Sequence, residues 1–295
     1  MKKIITLSVL ITMFASVMFA QKTAMKKAIF AVAFDGKSIE PIAFIEDEKL
    51  IAPVGGDADG KAIADFVRVF YKPKTTYDLI FGGAVGGKVT AIKGNAKSDC
   101  AKNVGEVTTT SAKVKLKGLV MALATNAATP KVTAYRRLPT AVERREIEKS
   151  VREELTTNKI SVKNQKVLHY LNLTAVDVNH DGTPEFVGSY WVSTSATERG
   201  LLFFIAEKDA DGSYVLSQDN FNLVKQKDVM SGAIKDIDEG IYHELFLDVF
   251  DVDGDGSSEI FTMSQSFEGN SFTVYSKGKD GWSKSFESSN YHCGY

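Results

Sequence analysis

The sequence predicts a mainly β protein: an N-terminal β-rich domain, one linking helix, and a C-terminal pair of antiparallel sheets carrying acidic loops. Three observations point there. Short alternating apolar runs lie between Gly, Asp and Pro turns, a capped helical pattern stands near the middle of the chain, and an internal repeat follows it. The 295 residues, 44% apolar and 25% charged, suffice for two domains and place the chain among globular proteins. Lys+Arg number 36 and Asp+Glu 37. The near-neutral sum supplies no basic surplus against a phosphate backbone, so no nucleic-acid partner is expected.

Lys2 and Lys3 precede an apolar run from Ile4 to Phe19 that ends in Ala20, the pattern of a secretory signal over residues 1–20. Cleavage after Ala20 is expected, with Met18 larger than the small residue usual two places earlier. Thr6, Ser8, Thr12 and Ser16 interrupt the run, and no later stretch is apolar enough to cross a bilayer. A secreted or periplasmic bacterial protein without a membrane span is the expectation. In that compartment Cys100 and Cys293 either pair in a disulfide or stay as thiols, and their spacing admits no CxxC or Cys-based zinc site.

Within the N-terminal domain, residues 25–138, strands are predicted at 28–34 and 39–45 around an Asp35-Gly36 turn, and at 77–81, 88–92 and 113–124. Ile63, Phe66, Val67 and Phe70 recur at helical spacing and predict one short helix among them. Thr140 and Glu143 form a capping box ahead of an apolar stripe of Ile147, Val151 and Leu155, which predicts a helix over 141–155 within a linking segment, 139–160.

Residues 165–295 hold the repeat. An offset of 74 carries Leu171 and Leu173 onto Leu245 and Leu247, and Asp177, Asn179, Asp181, Gly182 and Glu185 onto Asp251, Asp253, Asp255, Gly256 and Glu259. At an offset of 69, Phe203, Ile205 and Asp211-Gly212 meet Phe272, Val274 and Asp280-Gly281. A period of this size built from about four strands has the dimension of a propeller blade or a similar antiparallel sheet.

Each loop offers hard oxygen donors at positions one, three, five, seven and nine, with a Gly that permits the tight turn. Calcium, which takes six to eight oxygens at about 2.3 to 2.6 Å, is the cofactor such donors suit. The ligands expected are Asp177, Asn179, Asp181, the Thr183 carbonyl and Glu185 in the first loop, and Asp251, Asp253, Asp255, the Ser257 carbonyl and Glu259 in the second. Four carboxylates against three predict the second site to be the tighter. An EF-hand would need an acid at position twelve, where Gly188 and Thr262 stand, and flanking helices instead of these β-like flanks.

These loops resemble those of the VCBS and FG-GAP repeats, calcium-loop blades of integrin-alpha-like propellers and of many bacterial secreted proteins, over residues 167–295. The resemblance implies that the first, third, fifth and ninth loop residues hold calcium. Glu at position nine departs from the common Asp, and two repeats fall short of the about four to eight blades that close a propeller. Either the two sheets pack on each other and on the N-terminal domain, or a second chain completes them.

Other signals are weaker. Asp57-Ala58-Asp59-Gly60 and Asp209-Ala210-Asp211-Gly212 lack a ninth ligand and are read as turns. The stretch 82–89 nearly spells a phosphate loop, but Val89 replaces its hydroxyl, so a glycine-rich hairpin is expected. His169, His180, His243 and His292 have no metal-ligand spacing, and His243-Glu244 alone is a weak acid/base pair. Asn172-Leu173-Thr174 is a glycosylation pattern in an expected buried strand. The function this predicts is a noncatalytic, calcium-stabilised binding or adhesion module with a protein or carbohydrate ligand. The alternative is an exported hydrolase of carbohydrate or phosphoester on a calcium-stabilised scaffold.

Overall fold

The computed structural model describes residues 25–129, 131–160 and 168–293, so the expected signal at 1–20 lies outside the described residues. The chain is mainly β, with antiparallel pairing throughout and a helix linking its two β regions.

Seven strands form the first region: β1 Lys27–Ala33, β2 Ser38–Glu46, β3 Lys49–Ile51, β4 Thr76–Phe81, β5 Ala84–Gly94, β6 Gly105–Thr110 and β7 Ala122–Thr125. Their order is β1-β7-β4-β5-β6-β2-β3, and β1 also pairs with β2, so six strands close into a barrel while β3 extends β2 past β6. Alternation along β1 explains how one short strand serves two cores. Ala28, Phe30 and Val32 face the barrel interior, and Ile29 and Ala31 face outward into a second apolar layer. Helix α1, Gly60–Phe70, capped by Asp59 through the Lys61 and Ala62 N–H groups, adds Phe66 and Phe70 to the interior. The Asp57–Gly60 turn thus serves as a helix cap.

One strand expectation is corrected here, and one strand was not expected. Of the predicted 113–124 strand only residues 122–124 are in the sheet, as part of β7 Ala122–Thr125. Residues 113–117 alternate like a strand because Val114 and Leu116 pack on the barrel core between exposed lysines, without a ladder partner. Strand β6, rich in Thr, was hidden by its weak apolar signal: only Val107 among its side chains enters the core.

Helix α2, Ala141–Thr157, begins at the predicted capping box and runs two residues beyond the expected end. Behind it β9 His169–Val176, β10 Glu185–Ser195, β11 Glu198–Lys208 and β12 Tyr214–Lys225 make one meander, with the two-residue β8 Arg136–Arg137 added at its edge. A second meander follows: β13 Glu244–Phe250, β14 Glu259–Gln265, β15 Gly269–Gly278 and β16 Gly281–Tyr291. Between them lie a short 3-10 turn and the four-residue α3, Lys235–Asp238.

The meanders stack in the same sense. Phe186 of the first faces α2, and its counterpart 74 residues on, Ile260, faces the first meander; Val187 faces the second meander, and Phe261 faces the barrel. Ile147, Val151 and Leu155 of α2 close one outer face, and the outward residues of β1, β2 and β7 close the other. The two sheets therefore pack on each other and on the N-terminal domain, the first of the two arrangements the sequence left open. A closed ring of blades is not what covers them.

Two polar junctions tie the barrel to the second meander. In one, Cys100 and Cys293 form a disulfide with Cα atoms 5.3 Å apart, 193 residues distant in sequence. Beside it the buried Glu40 of β2 accepts from Asn270 Nδ2 and Asn290 Nδ2, both at 2.6 Å, with His292 Nε2 2.7 Å away. In the other, Asp248, fully buried in β13, accepts from the N–H groups of Gly82 and Gly83, both at 3.0 Å, and from Arg136 Nη1 at 2.6 Å. Gly82 and Gly83 hold φ of 65° and 76°, the left-handed pair a two-residue hairpin turn needs. The loop that resembled a phosphate cradle does present two N–H groups to an anion, but the anion is the protein's own aspartate.

Candidate metal centre

Both acidic loops are the turns of the first hairpin in their meander, β9–β10 and β13–β14. The 74-residue offset holds in register, in turn conformation and in four hydrogen bonds, while Asp177 Oδ1 accepts from Asp181 N and Asp251 Oδ1 from Gly254 N. Register repeats first: Glu185 pairs with Val176 as Glu259 does with Phe250, and Ser189 with Leu171 as Met263 does with Leu245, across a bulge at the same place in each ladder. The turn conformation repeats too, with Gly182 at φ 86° and Gly256 at φ 92°. At the fourth loop position Gly254 adopts φ 78° where His180 adopts φ 58°, so only the first loop forces a side chain into the left-handed region.

The hydrogen bonds follow the same arithmetic. Asp177 Oδ2 accepts from Gly182 N at 3.0 Å and Asp251 Oδ2 from Gly256 N at 3.1 Å. Asn179 Oδ1 accepts from Asp181 N at 3.2 Å, as Asp253 Oδ1 does from Asp255 N at 3.1 Å. Asp181 and Asp255 each accept at 2.7 Å from the N–H two residues on, that of Thr183 or Ser257. Glu185 and Glu259 reach back to the N–H groups of Val178 and Val252, at 3.1 and 2.9 Å. Backbone donors thus fix the inner carboxylate oxygens and so orient each side chain.

Carboxylate oxygens of Asp251, Asp253 and Asp255 lie within 4.8 Å of one another. Ligands on opposite sides of a cation at about 2.4 Å stand about 4.8 Å apart, so all three can share one coordination sphere. In the first loop Asn179 stands where the second has Asp253, and it donates through Nδ2 to Asp181 Oδ2 at 3.0 Å. Burial pushes the Glu185 and Glu259 carboxyls up to about 7 against the opposing pull of the Val178 and Val252 N–H groups. The Thr183 N–H chiefly holds Asp181 below its usual value.

The loops sit side by side, joined by a bond from Ser258 N to Val178 O at 2.8 Å. Their outer surroundings differ. Lys277 of β15, ion-paired to Glu207 of β11, flanks the first loop across a cleft, while the second opens on a cleft shared with Glu48, Lys49 and Leu50 of the barrel. Sequence reasoning missed these neighbours and missed Ser258, because each depends on how the layers meet. Asp248 was detectable: an acid inside the apolar run 245–250 has to be answered by a buried cation, here Arg136.

The other singled-out residues have structural partners. His169 stacks on Trp191 with centroids 4.0 Å apart, and His292 meets Glu40. Asn172 donates through Nδ2 to the Leu119 carbonyl, and Asp209 closes its own turn by accepting from the N–H groups of Asp211 and Ser213. Glu244 accepts from Thr262 Oγ1 and the Tyr275 hydroxyl. His243, buried with Nε2 2.9 Å from the Ile237 carbonyl, has its pKa lowered to about 4 by burial.

His243 sets a pH dependence. The folded state holds this base below its ordinary value near 6.5, so the unfolded chain binds the proton more readily and stability is lost as pH falls from about 6.5 to about 4. The full shift corresponds to about 3 kcal/mol. Glu185, Glu259 and His292, whose folded-state values are raised, act in the opposite sense over the same interval, so the His243 contribution is read as a difference. In urea unfolding His243→Gln is expected to lose about 3 kcal/mol less than the parent between about pH 6.5 and about 4, and parallel profiles would assign His243 no share.

Compared with protein families, curated proteins and solved structures, the chain matches none of the three.

Proposed function

We propose that the protein is a calcium-binding, noncatalytic binding module in which two metal ions brace the β9–β10 and β13–β14 hairpins. The observation that carries this reading is the repetition of one oxygen-rich loop 74 residues apart, with the same strand register, the same left-handed glycine and four equivalent hydrogen bonds. The Asp209 turn shares the bond to the N–H two residues on; what it lacks is an acid at position nine, which in both loops reaches back to the second residue's N–H.

Asp177, Asn179, Asp181 and Glu185 hold the first ion and Asp251, Asp253, Asp255 and Glu259 the second, with the Thr183 and Ser257 carbonyls as further donors. The donor set is all oxygen with no Cys or His, which suits a hard cation. Calcium here neutralises like charges crowded into a small volume, so removing it lets them repel and loosens the hairpin turns. The VCBS and FG-GAP resemblance supports the same assignment.

Calorimetric titration with calcium is expected to show two sites, the tighter in the second loop, with Asp177→Ala removing the weaker and Asp251→Ala the tighter. At tenfold excess over its dissociation constant each ion adds about 1.4 kcal/mol. Chelation should lower the melting temperature accordingly. No heat at millimolar calcium together with an unchanged melt would reduce both loops to turns.

A further inference from the structure

The near-neutral charge of the chain is a sum of two unlike halves. Residues 25–127, which hold the barrel strands and α1, have 15 Lys+Arg against 11 Asp+Glu, a balance of +4, and residues 168–293 hold 8 against 21, a balance of −13. The barrel is basic and the meanders are acidic. On the barrel the positive charge has a definite track. The segment after β6 starts at Ser111, whose Oγ donates to the Gly86 carbonyl at 2.6 Å, and ends at Gly118, whose N–H donates to Asp35 Oδ1 at 2.8 Å. Between these anchors Val114 and Leu116 pack on the barrel core, and Lys113, Lys115 and Lys117 alternate outward, all exposed. None of the three has an acidic partner among the described residues. Asp35 stands at the far end of the segment, bonded to the Gly118 N–H, and Asp78 and Glu106 on the barrel strands are paired with Lys88 and Lys93.

The far anchor adds an aromatic. Phe34, Asp35 and Gly36 hold φ of 50°, 57° and 76°, three successive residues in the left-handed region. Phe34 is 59% exposed there, and Lys37 is exposed beside it. A bulky residue in that conformation is uncommon, and a phenyl ring held in solvent gains nothing from burial. The Asp35–Gly118 bond holds this turn against the end of the lysine segment.

We propose that this face of the barrel binds an acidic glycan, with Lys113, Lys115, Lys117 and Lys37 on its anionic groups and Phe34 against a sugar face. Charge complementarity selects a linear polyanion. The single aromatic favours a glycan over single-stranded nucleic acid, whose binders present several stacking platforms in succession. The acidic half does not prevent binding, because at about 0.15 M salt its field is screened within about 8 Å. The inference names a partner class for the module and does not depend on metal in the loops.

The test is fluorescence anisotropy of the disulfide-bonded protein with labelled heparin, polyuridylate of similar length and neutral dextran, across a salt series. Heparin is expected to bind most tightly and dextran not at all. Combined Lys113→Gln, Lys115→Gln and Lys117→Gln should weaken heparin binding at least about 30-fold and lower the slope of log K against log salt by roughly three, by analogy with counterion release from nucleic acid. Phe34→Ala should weaken it several-fold with the salt slope unchanged. These residues are exposed, and an unchanged thermal melt verifies that each variant folds. No binding to heparin at about 50 mM salt, a triple variant that binds like the parent, or polyuridylate binding as tightly as heparin would each overturn the proposal.

Discussion

Arg136→Met is expected to lower the free energy of unfolding by about 3 to 5 kcal/mol, the range for removing one partner of a buried ion pair. The Arg136 side chain is 4% exposed and that of Asp248 0%. The guanidinium donates at 2.6 Å to Asp248, at 2.9 Å to the Met121 carbonyl and at 2.7 Å to the Leu247 carbonyl, with its plane near the rings of Phe81 and Phe246. Burial pushes the Asp248 carboxyl upward, and Arg136 with the N–H groups of Val249, Gly83 and Gly82 opposes that push. Without the guanidinium, the carboxylate and two carbonyls are left facing an apolar side chain. Methionine keeps most of the volume, so the loss reads the polar contacts and not a cavity. Arg136→Lys should recover only part of the loss: all three bonds leave the one nitrogen Nη1, which an ammonium can replace, but the planar group's contact with both rings is lost. Urea titration followed by tryptophan fluorescence gives the number, and a loss under about 1 kcal/mol would mean the junction relaxes around the defect.

Replacing Cys100 and Cys293 by Ser is expected to cost about 5 kcal/mol, what loop closure over 193 residues takes from the unfolded chain. The native side should change less. Asn103 and Asn290 exchange amide hydrogen bonds at 2.7 and 2.8 Å beside the bridge, and Asn270, Asn290 and His292 converge on Glu40, so the end of β16 stays anchored on the barrel. The effect therefore lies mainly in the unfolded state, and the urea m-value should rise because the uncrosslinked chain exposes more surface. A large stability loss with an unchanged m-value and a disturbed native spectrum would place the effect in the folded state instead.

The acidic loops and α2 were legible because their signals are local. A capping box spans four residues and a metal loop nine, and side chains that close together in sequence must meet whatever the rest of the chain does. The repeat was legible for a related reason: Glu185 and Glu259 occupy one register position because Val187 and Phe261, and the residues alternating with them, have one face each to bury. Over 113–117 the same reasoning misfired. An extended segment packed through Val114 and Leu116 has the alternation of a strand, and hydrogen-bond partners are not written in alternation.

What the sequence by itself determined was the mainly β character, the linking helix, and two like loops rich in oxygen donors, all set by periodicity and short-range geometry. Tertiary structure decided the rest. Closure of the barrel, the stacking of the meanders between α2 and the barrel, the capture of the Gly82–Gly83 turn by Asp248, and the choice of a disulfide over two thiols at Cys100 and Cys293 all join residues far apart in the chain. Such pairings are chosen by which buried faces and buried charges can be satisfied together, and that is a property of the packed layers.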